Sequence, residues 1–369
     1  MQRSLVLGCA VAALTIGSGS AFAQSKFDVT IGGDVLFQGA YVDQDADPAG
    51  SRSTEIRNRY RLVVTPTAKA DNGLEYGGRL RLRAGSAGAG NVVDYDRAFM
   101  FASSGFGTVQ AGVINGLSDE FGIIGPNIEG IAGGADNLTL DFAAAASPLP
   151  SVFVNAENFR NFVAGDNGTK LIYLSPKIAG FQGGVSYMPR ASNFGMSIDR
   201  AALAAPADRT SVFEDVVEVG GIYSREIGAV TLDASAFYQF GTAPGADDLS
   251  SYHVGANIGF GDIKVGGMYM NAGDSGYAAG LGGADIQTWQ VGANYTLGPV
   301  ILAANYLNYR DAGSLLTAGN ARMDLYQTGV TYTIAPGLTT GLEYSYFRAR
   351  EDGARDKGSI IMLDTRLAF

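Results

Sequence analysis

Apolar and polar side chains alternate along much of the chain, most clearly in its C-terminal half. In the segment 288–297, "TWQVGANYTL", Trp289, Val291 and Tyr295 fall on one face of an extended chain. The segment 230–240, "VTLDASAFYQF", repeats the pattern. Successive side chains of a strand point to opposite faces, so this period of two predicts β-strands with one apolar and one polar face.

Sixteen strands are predicted from this alternation and from the turn signals between the segments. Their approximate bounds are 26–41, 54–70, 74–85, 92–103, 107–115, 168–178, 181–189, 212–226, 229–241, 251–260, 262–270, 285–297, 299–310, 321–334, 338–350 and 359–369. Seven short, Gly-containing connections alternate strictly with eight longer ones. The longer connections lie around 43–53, 85–91, 116–167, 190–211, 242–250, 271–284, 311–320 and 351–358.

An even number of strands places both chain ends and all short turns on one side, and all long loops on the other. Outer-membrane barrels have this arrangement, and their strands need only about ten residues of alternating polarity. Tyrosines near the segment ends suit an aromatic girdle at a lipid interface better than the core of a soluble β-sandwich. We therefore expect an all-β fold, a 16-stranded antiparallel transmembrane β-barrel.

The N-terminal segment 1–23 has a basic start at Arg3, an apolar core and a terminal Ala-Phe-Ala. These features predict a secretory signal peptide, and residues 24–369 then form the barrel. Cleavage after Ala23 removes the single cysteine, Cys9, which excludes disulfides from the mature chain. It leaves 25 basic against 36 acidic residues, a net charge of −11, which argues against nucleic-acid binding.

Two short segments place arginine at every second position. They are "RNRYR" at 57–61 and "RLRLR" at 79–83, and the arginines are Arg57, Arg59, Arg61, Arg79, Arg81 and Arg83. The tight turn at 71–73 joins the two strands, so their arginines should form one patch. Six like charges on one wall require water or counter-charges. We interpret the patch as facing a water-filled lumen, the alternative being a solvated strand face of a soluble protein.

The sequence resembles a known family, the general-diffusion porins of Gram-negative outer membranes. Within that family it is most similar to the alphaproteobacterial type. The resemblance is carried by the signal peptide, the sixteen-strand rhythm, the long third loop and the terminal "LDTRLAF" (363–369). In addition, "DEFG" (119–122) resembles the "PEFG" that opens the third loop of enteric porins, with Asp119 in place of proline.

The resemblance implies an outer-membrane homotrimer with one water-filled pore per subunit. Its partners would be outer-membrane lipids, lipopolysaccharide and the assembly machinery, which would read Phe369 and Leu367 as its signal. It also implies that the third external loop, here about 116–167 and called loop 3 below, folds inward and narrows the pore. The acids that could face the arginines are Asp119, Glu120, Glu129, Asp136 and Asp141 on this loop, and Asp94 and Asp96 on the fourth strand.

From these features we expect a passive diffusion channel for small hydrophilic solutes and ions, with a constriction between the arginines and loop 3. The alternative is a solute-selective porin of the same fold. That function needs aromatic side chains in the lumen, for which Phe237 and Tyr309 are candidates, whereas Trp289 falls on the outer face.

Two further groups suggest chemistry that we do not favour. The single histidine, His253, lies near Ser250 and Ser251, but a Ser-His enzyme also needs a third group to orient the base. We therefore expect no catalytic site. Asp43, Asp45 and Asp47 in the first external loop have the spacing of a weak structural calcium site, although solvated loop acids explain them as well. No other cofactor is expected.

Overall fold

The structure is a computed structural model that describes residues 27–84, 93–126, 139–158, 163–164, 168–191, 193–198, 200–201, 212–314 and 316–369. The predicted signal peptide lies outside these residues. The strands are β1 (Asp28–Gln44), β2 (Thr54–Lys69), β3 (Glu75–Ala84), β4 (Val93–Ser104), β5 (Gly107–Val113), β6 (Thr169–Leu174), β7 (Phe181–Arg190), β8 (Glu214–Ile227), β9 (Val230–Thr242), β10 (Leu249–Phe260), β11 (Ile263–Gly273), β12 (Ile286–Leu297), β13 (Val300–Asp311), β14 (Ala321–Ala335), β15 (Leu338–Glu351) and β16 (Ala354–Ala368).

Each strand pairs antiparallel with its neighbours in sequence, and β1 pairs with β16 to close the barrel. The closing register runs from Asp34 opposite Ala368 to Gln44 opposite Gly358. The predicted sixteen-stranded antiparallel barrel is confirmed, and every strand lies close to its predicted position. Closure pairs the edges that an open sheet would leave exposed to lipid.

The connection between β15 and β16 differs from its prediction. A long loop was expected at 351–358, but the strands run on to a two-residue turn at Asp352 and Gly353. Both turn residues have positive φ, 44° and 94°. An Asp-Gly pair adopts this conformation readily and closes a tight hairpin. The polar sequence around the turn resembled a loop because both strand ends reach beyond the apolar band.

The outward faces of the strands carry the apolar side chains. Leu342 on β15 and Leu363 on β16 are each 51% exposed, as lipid-facing residues are. Nearer the external end, rings from adjacent strands contact one another: Tyr306 lies 4.9 Å from Trp289 and 4.7 Å from Tyr326 between centroids. These aromatic residues form the expected girdle.

Three helices occur among the described residues, all between β5 and β6: α1 (Leu117–Phe121), α2 (Asp141–Ala144) and α3 (Pro150–Asn158). α1 contacts β7, β8 and β9, α2 contacts β1 and β16, and α3 contacts β13, β14 and β15. Loop 3 therefore folds into the barrel. No helix among the described residues is long and apolar enough to cross a membrane.

The inner wall is not polar throughout. In the external half of the barrel, inward side chains of the strands pack with α2 and α3 in one apolar cluster. Phe153 of α3 meets Phe347 of β15 edge-on at 5.1 Å, and both are fully buried. Apolar burial holds the loop against the wall, so loop 3 fills part of the lumen, as the resemblance implied.

Candidate functional site

The predicted arginines line the inner wall formed by β2 and β3. Arg61 lies directly opposite Arg83 in the strand register. A row of guanidinium groups in a partly closed lumen requires counter-charges, and two buried carboxylates lie among them. They are Asp34 and Asp96, whose side chains are 3% and 4% exposed.

Asp34 on β1 gathers three arginines from both neighbouring strands. Arg61 donates to its two oxygens at 3.1 and 2.8 Å, and Arg59 approaches at 3.4 Å. Arg366 on β16 donates at 3.0 Å. This carboxylate could not be predicted from the sequence, because Asp34 comes close to the arginines only through strand pairing and the closure of the barrel.

Asp96 lies in a β-bulge where the register between β3 and β4 shifts. Arg81 donates to its two oxygens at 2.7 Å each, a bidentate pair. Arg83 lies 3.4 Å away. The extra residue of a bulge redirects its neighbours, and here both Asp96 and the next residue, Arg97, are buried. Arg97 is therefore a seventh arginine of this wall, which its sequence position did not indicate.

Loop 3 supplies a carboxylate at the start of α2. Arg57 donates through Nη1 to Asp141 at 2.7 Å and through Nε to Gln38 at 2.8 Å. Its guanidinium also lies over the ring of Phe142, 4.6 Å from the centroid. These contacts fasten the loop to β2 and neutralise one arginine.

A cavity of about 130 Å³ remains between the arginine wall and α1. Arg79, Arg81 and Arg97 line one side, and Glu120 of α1 is on the other. Arg79 is exposed and makes no ion pair within the described part of the chain. Asp119 of α1 lies 3.9 Å from Arg97. Cationic and anionic groups therefore face each other across this space.

Three inner-wall residues seat loop 3 and could not be recognised in the sequence. Glu218 on β8 accepts the free N–H groups of Leu117 and Ser118 at the start of α1, at 2.5 and 2.7 Å. A Cβ added to Gly255 would lie 1.9 Å from the Ile123 carbonyl oxygen, and one added to Gly292 equally close to that of Pro126. The loop backbone thus lies directly on wall positions that have no side chain.

The comparisons with known proteins agree with this architecture. Residues 10–352 of the chain match the family model described as Gram-negative porin. This chain belongs to the Gram-negative porins. It is accordingly an outer-membrane channel protein and not an enzyme. A comparison with curated proteins found no match.

Solved structures share the porin fold at low sequence identity. An engineered variant of Rh. blastica porin has a TM-score of 0.61 and 16% identity, with 93% of this chain and 100% of that chain covered. A loop-deletion variant of OmpT, an outer membrane protein of Vibrio cholerae, has a TM-score of 0.60 and 14% identity, with 93% and 99% covered.

The other residues predicted to belong to the constriction or to the assembly signal are not among the contacts of the charged cluster described above. Asp94 is exposed and makes no ion pair within the described residues, and Glu129 and Asp136 lie outside them. Leu367 points outward, 47% exposed. Phe369 is 62% exposed, and its backbone exchanges two hydrogen bonds with Gly33. The last residue is thereby held against β1.

The acids of the first external loop are not gathered into a cluster of metal ligands. The described residues contain no group of three or more carboxylate, histidine or cysteine side chains that could hold a metal ion. Asp45 instead lies 3.4 Å from Lys357. Burial, and then the charges of Asp356 and Asp43, raise the pKa of Asp47.

Phe237 and Tyr309, the two candidates for luminal aromatic residues, are covered. Phe237 packs in a cluster with Leu117 of α1 and is 5% exposed. Tyr309 is fully buried and donates to Asp311 at 2.6 Å. His253 is also buried, and neither ring nitrogen has a hydrogen-bond partner among the described side chains and backbone. None of these groups is placed to guide a sugar or to act as a base.

Proposed function

We propose that this porin is a passive diffusion channel for small hydrophilic solutes and ions, and that its narrowest part lies between the arginines of β2–β4 and loop 3. The observation that carries the proposal is the exposed Arg79 lining the same cavity as Glu120. Facing charges create a transverse field, which orients water and polar solutes and penalises apolar ones.

The division of the arginines into those held by ion pairs and the exposed Arg79 supports this assignment. Asp34, Asp96 and Asp141 hold most of them in fixed positions through ion pairs, so the wall keeps its shape. Arg79 keeps an exposed guanidinium. A fixed wall with an exposed cation such as Arg79 biases the ions that pass without binding any of them tightly.

The solute-selective alternative is less well supported. A sugar track needs exposed aromatic rings, and Phe237 and Tyr309 are both buried. The homotrimer and the role of Phe369 in assembly also belong to this proposal. Glycine- and alanine-rich early strands would allow close contact between subunits.

The test is conductance of the purified protein in planar bilayers. We expect discrete steps in multiples of three, unaltered by added sugars, and a reversal potential in a salt gradient that shifts towards cations in R79Q. The control is R225Q, an exposed arginine beside the short turn between β8 and β9. Absence of conductance, or block by one sugar, would overturn the proposal of a general channel.

A further inference from the structure

The cavity between the arginine wall and α1 has an apolar side that a passage for ions alone does not need. Phe99 of β4, Phe121 of α1 and Ile172 of β6 line it together with the charged side chains. All three pack in the cluster around Leu117. Ile172 is buried, whereas the two phenylalanines are only half-buried and expose part of their rings. Close packing behind them makes the apolar side a fixed surface.

The strand register places the charged and apolar groups of the cavity side by side. Arg79 of β3 lies directly opposite Phe99 of β4, and Gln110 of β5 lies directly opposite Ile172 of β6. Side chains that are opposed in this way on one face of a sheet have Cβ atoms about 5 Å apart. A small solute in the cavity would therefore touch a guanidinium group and apolar surface at the same time.

Two side chains of opposite charge in the cavity have no ionic partner within the described part of the chain. Arg79 is exposed and makes no ion pair there, and Glu120 accepts a hydrogen bond from the neutral amide of Asn115 at 2.8 Å. Both line the cavity, yet they do not pair with each other. A solute with one anionic and one cationic group would engage both, whereas an ion of a single sign would engage only one.

The other charged groups around the cavity offset one another. Asp96 holds Arg81 through two hydrogen bonds, and Asp119 lies 3.9 Å from Arg97. Together with Arg79 and Glu120, these residues carry no net charge. A solute that is itself without net charge therefore leaves no charge in the cavity unmatched.

The size of the cavity limits the apolar part of the solute. Its volume is about 130 Å³. A cavity of about 150 Å³ in a protein interior accommodates benzene, so a branched aliphatic group, which is smaller than benzene, fits this one.

We propose that the cavity is a binding site for zwitterionic α-amino acids with a branched aliphatic side chain, as in valine and leucine. Arg79 donates hydrogen bonds to the carboxylate, and Glu120 accepts from the ammonium group. The surface formed by Phe99, Phe121 and Ile172 covers the side chain and removes it from water.

This inference rests on the proposed channel, because solutes reach the cavity through the lumen. Binding has to be weak, since a solute that passes through a pore must leave its site as readily as it enters. The site would slow such amino acids briefly and raise their concentration at the narrowest part of the pore.

The first test varies the solute. Single-channel current is recorded in planar bilayers, and the frequency of brief interruptions at rising concentrations of L-leucine gives an apparent dissociation constant. Three probes each lack one group: glycine has no apolar side chain, 4-methylpentanoate no ammonium group and 3-methylbutylamine no carboxylate. We expect each of them to bind roughly tenfold more weakly or worse than leucine. A probe that interrupts the current as effectively as leucine would overturn the proposal.

The second test varies the protein. R79Q and E120Q should each raise the apparent dissociation constant of leucine by roughly tenfold or more. The charge-matched controls, R225Q beside the turn between β8 and β9 and D262N in the turn between β10 and β11, should bind leucine like the wild type. Glutamine at position 120 still accepts from Asn115, so E120Q tests the charge and not the shape of α1. Unchanged affinities in both R79Q and E120Q would contradict the site.

The same recordings separate this inference from the proposed channel. Absence of conductance in the wild type contradicts the channel itself. Normal conductance steps that leucine does not interrupt contradict only the amino-acid site. A variant that gives normal steps is folded, and if one of the two does not fold, the series of probes on the wild type still decides.

Discussion

Single residues on the inner wall differ in whether their charge is matched. Arg61 and Arg81 each face a carboxylate that is almost fully buried, whereas Arg79 is exposed. A matched arginine in a partly closed lumen acts as a fixed part of the wall, because separating the pair would leave an uncompensated charge. We therefore expect passing ions to meet the exposed guanidinium of Arg79.

The ion pair between Arg57 and Asp141 should influence selectivity more than stability. Both side chains are partly exposed, 33% and 38%, so D141N should cost less than about 1 kcal/mol of folding free energy. It should also release the positive charge of Arg57 into the lumen and shift the reversal potential towards anions. The measurement is made in a salt gradient, with D262N in an exposed turn as the control. Identical reversal potentials for the two variants would contradict this role.

The protonation of Asp47 should make the stability of the folded protein depend slightly on pH. Its pKa is raised in the folded protein, so it contributes stability below its ordinary pKa of about 3.9, and that contribution is lost as pH rises through the raised value. The folding free energy of D47N should therefore exceed that of the wild type by less than about 1 kcal/mol at pH 7, which is seen as a slightly higher melting temperature. Below pH 3 the two proteins should melt at the same temperature. A chelator that lowers the melting temperature of the wild type but not of D47N would instead indicate calcium.

At the scale of elements, loop 3 is positioned by the wall on which it lies. Glu218 satisfies the first N–H groups of α1, which Gly116 at the N-cap does not. Gln239 on β9 accepts from the N–H of Val163 at 3.1 Å, further along the loop. Buried backbone groups need such partners, because an unsatisfied one costs free energy. The wall thus selects one path for the loop.

Filling the space under the loop should move it. G255A would bring a methyl group against the Ile123 carbonyl oxygen, and overpacking of this kind costs about 1–3 kcal/mol. We expect a wider or less stable pore, seen as larger or noisier conductance steps. G39A is the matched control, since its Cβ would meet its nearest neighbour at an ordinary 3.5 Å. If G255A conducts like G39A, the loop does not depend on this seat.

At the scale of the whole molecule, the barrel must close by joining its first and last strands. The seam between β1 and β16 pairs eleven residues of each strand. Asp34 lies on this seam and binds arginines of both β2 and β16. The same carboxylate therefore serves the charged wall and the closure of the barrel.

Removing that carboxylate should weaken closure. D34N should cost about 2 kcal/mol, less than the 3–5 kcal/mol of a fully buried pair, because Arg366 is 30% exposed. The measurement is the temperature at which the mobility of the protein on a detergent gel changes from that of the compact folded barrel to that of the unfolded chain. The control is D94N, an exposed carboxylate without an ion pair in the described residues. Equal temperatures for both variants would show that Asp34 does not stabilise the seam.

The sequence by itself determined the strands and their faces. A side-chain period of two is a local property, so alternation revealed all sixteen strands, the outward Trp289 and the inward arginines. Local patterns misled where polarity resembled a loop, as at Asp352 and Gly353, and where a bulge interrupts the alternation, as at Asp96. At Asp352 and Gly353 the strand ends extend beyond the lipid, and polar residues on both faces are compatible with a hairpin.

Only the tertiary structure decided which charges meet. Asp34 and Arg366 are separated by most of the chain, and the closing of the ring brings them together. The bulge at Asp96 and the seat at Gly255 also depend on register between strands. Register arises from pairing over the whole sheet, which no single segment encodes.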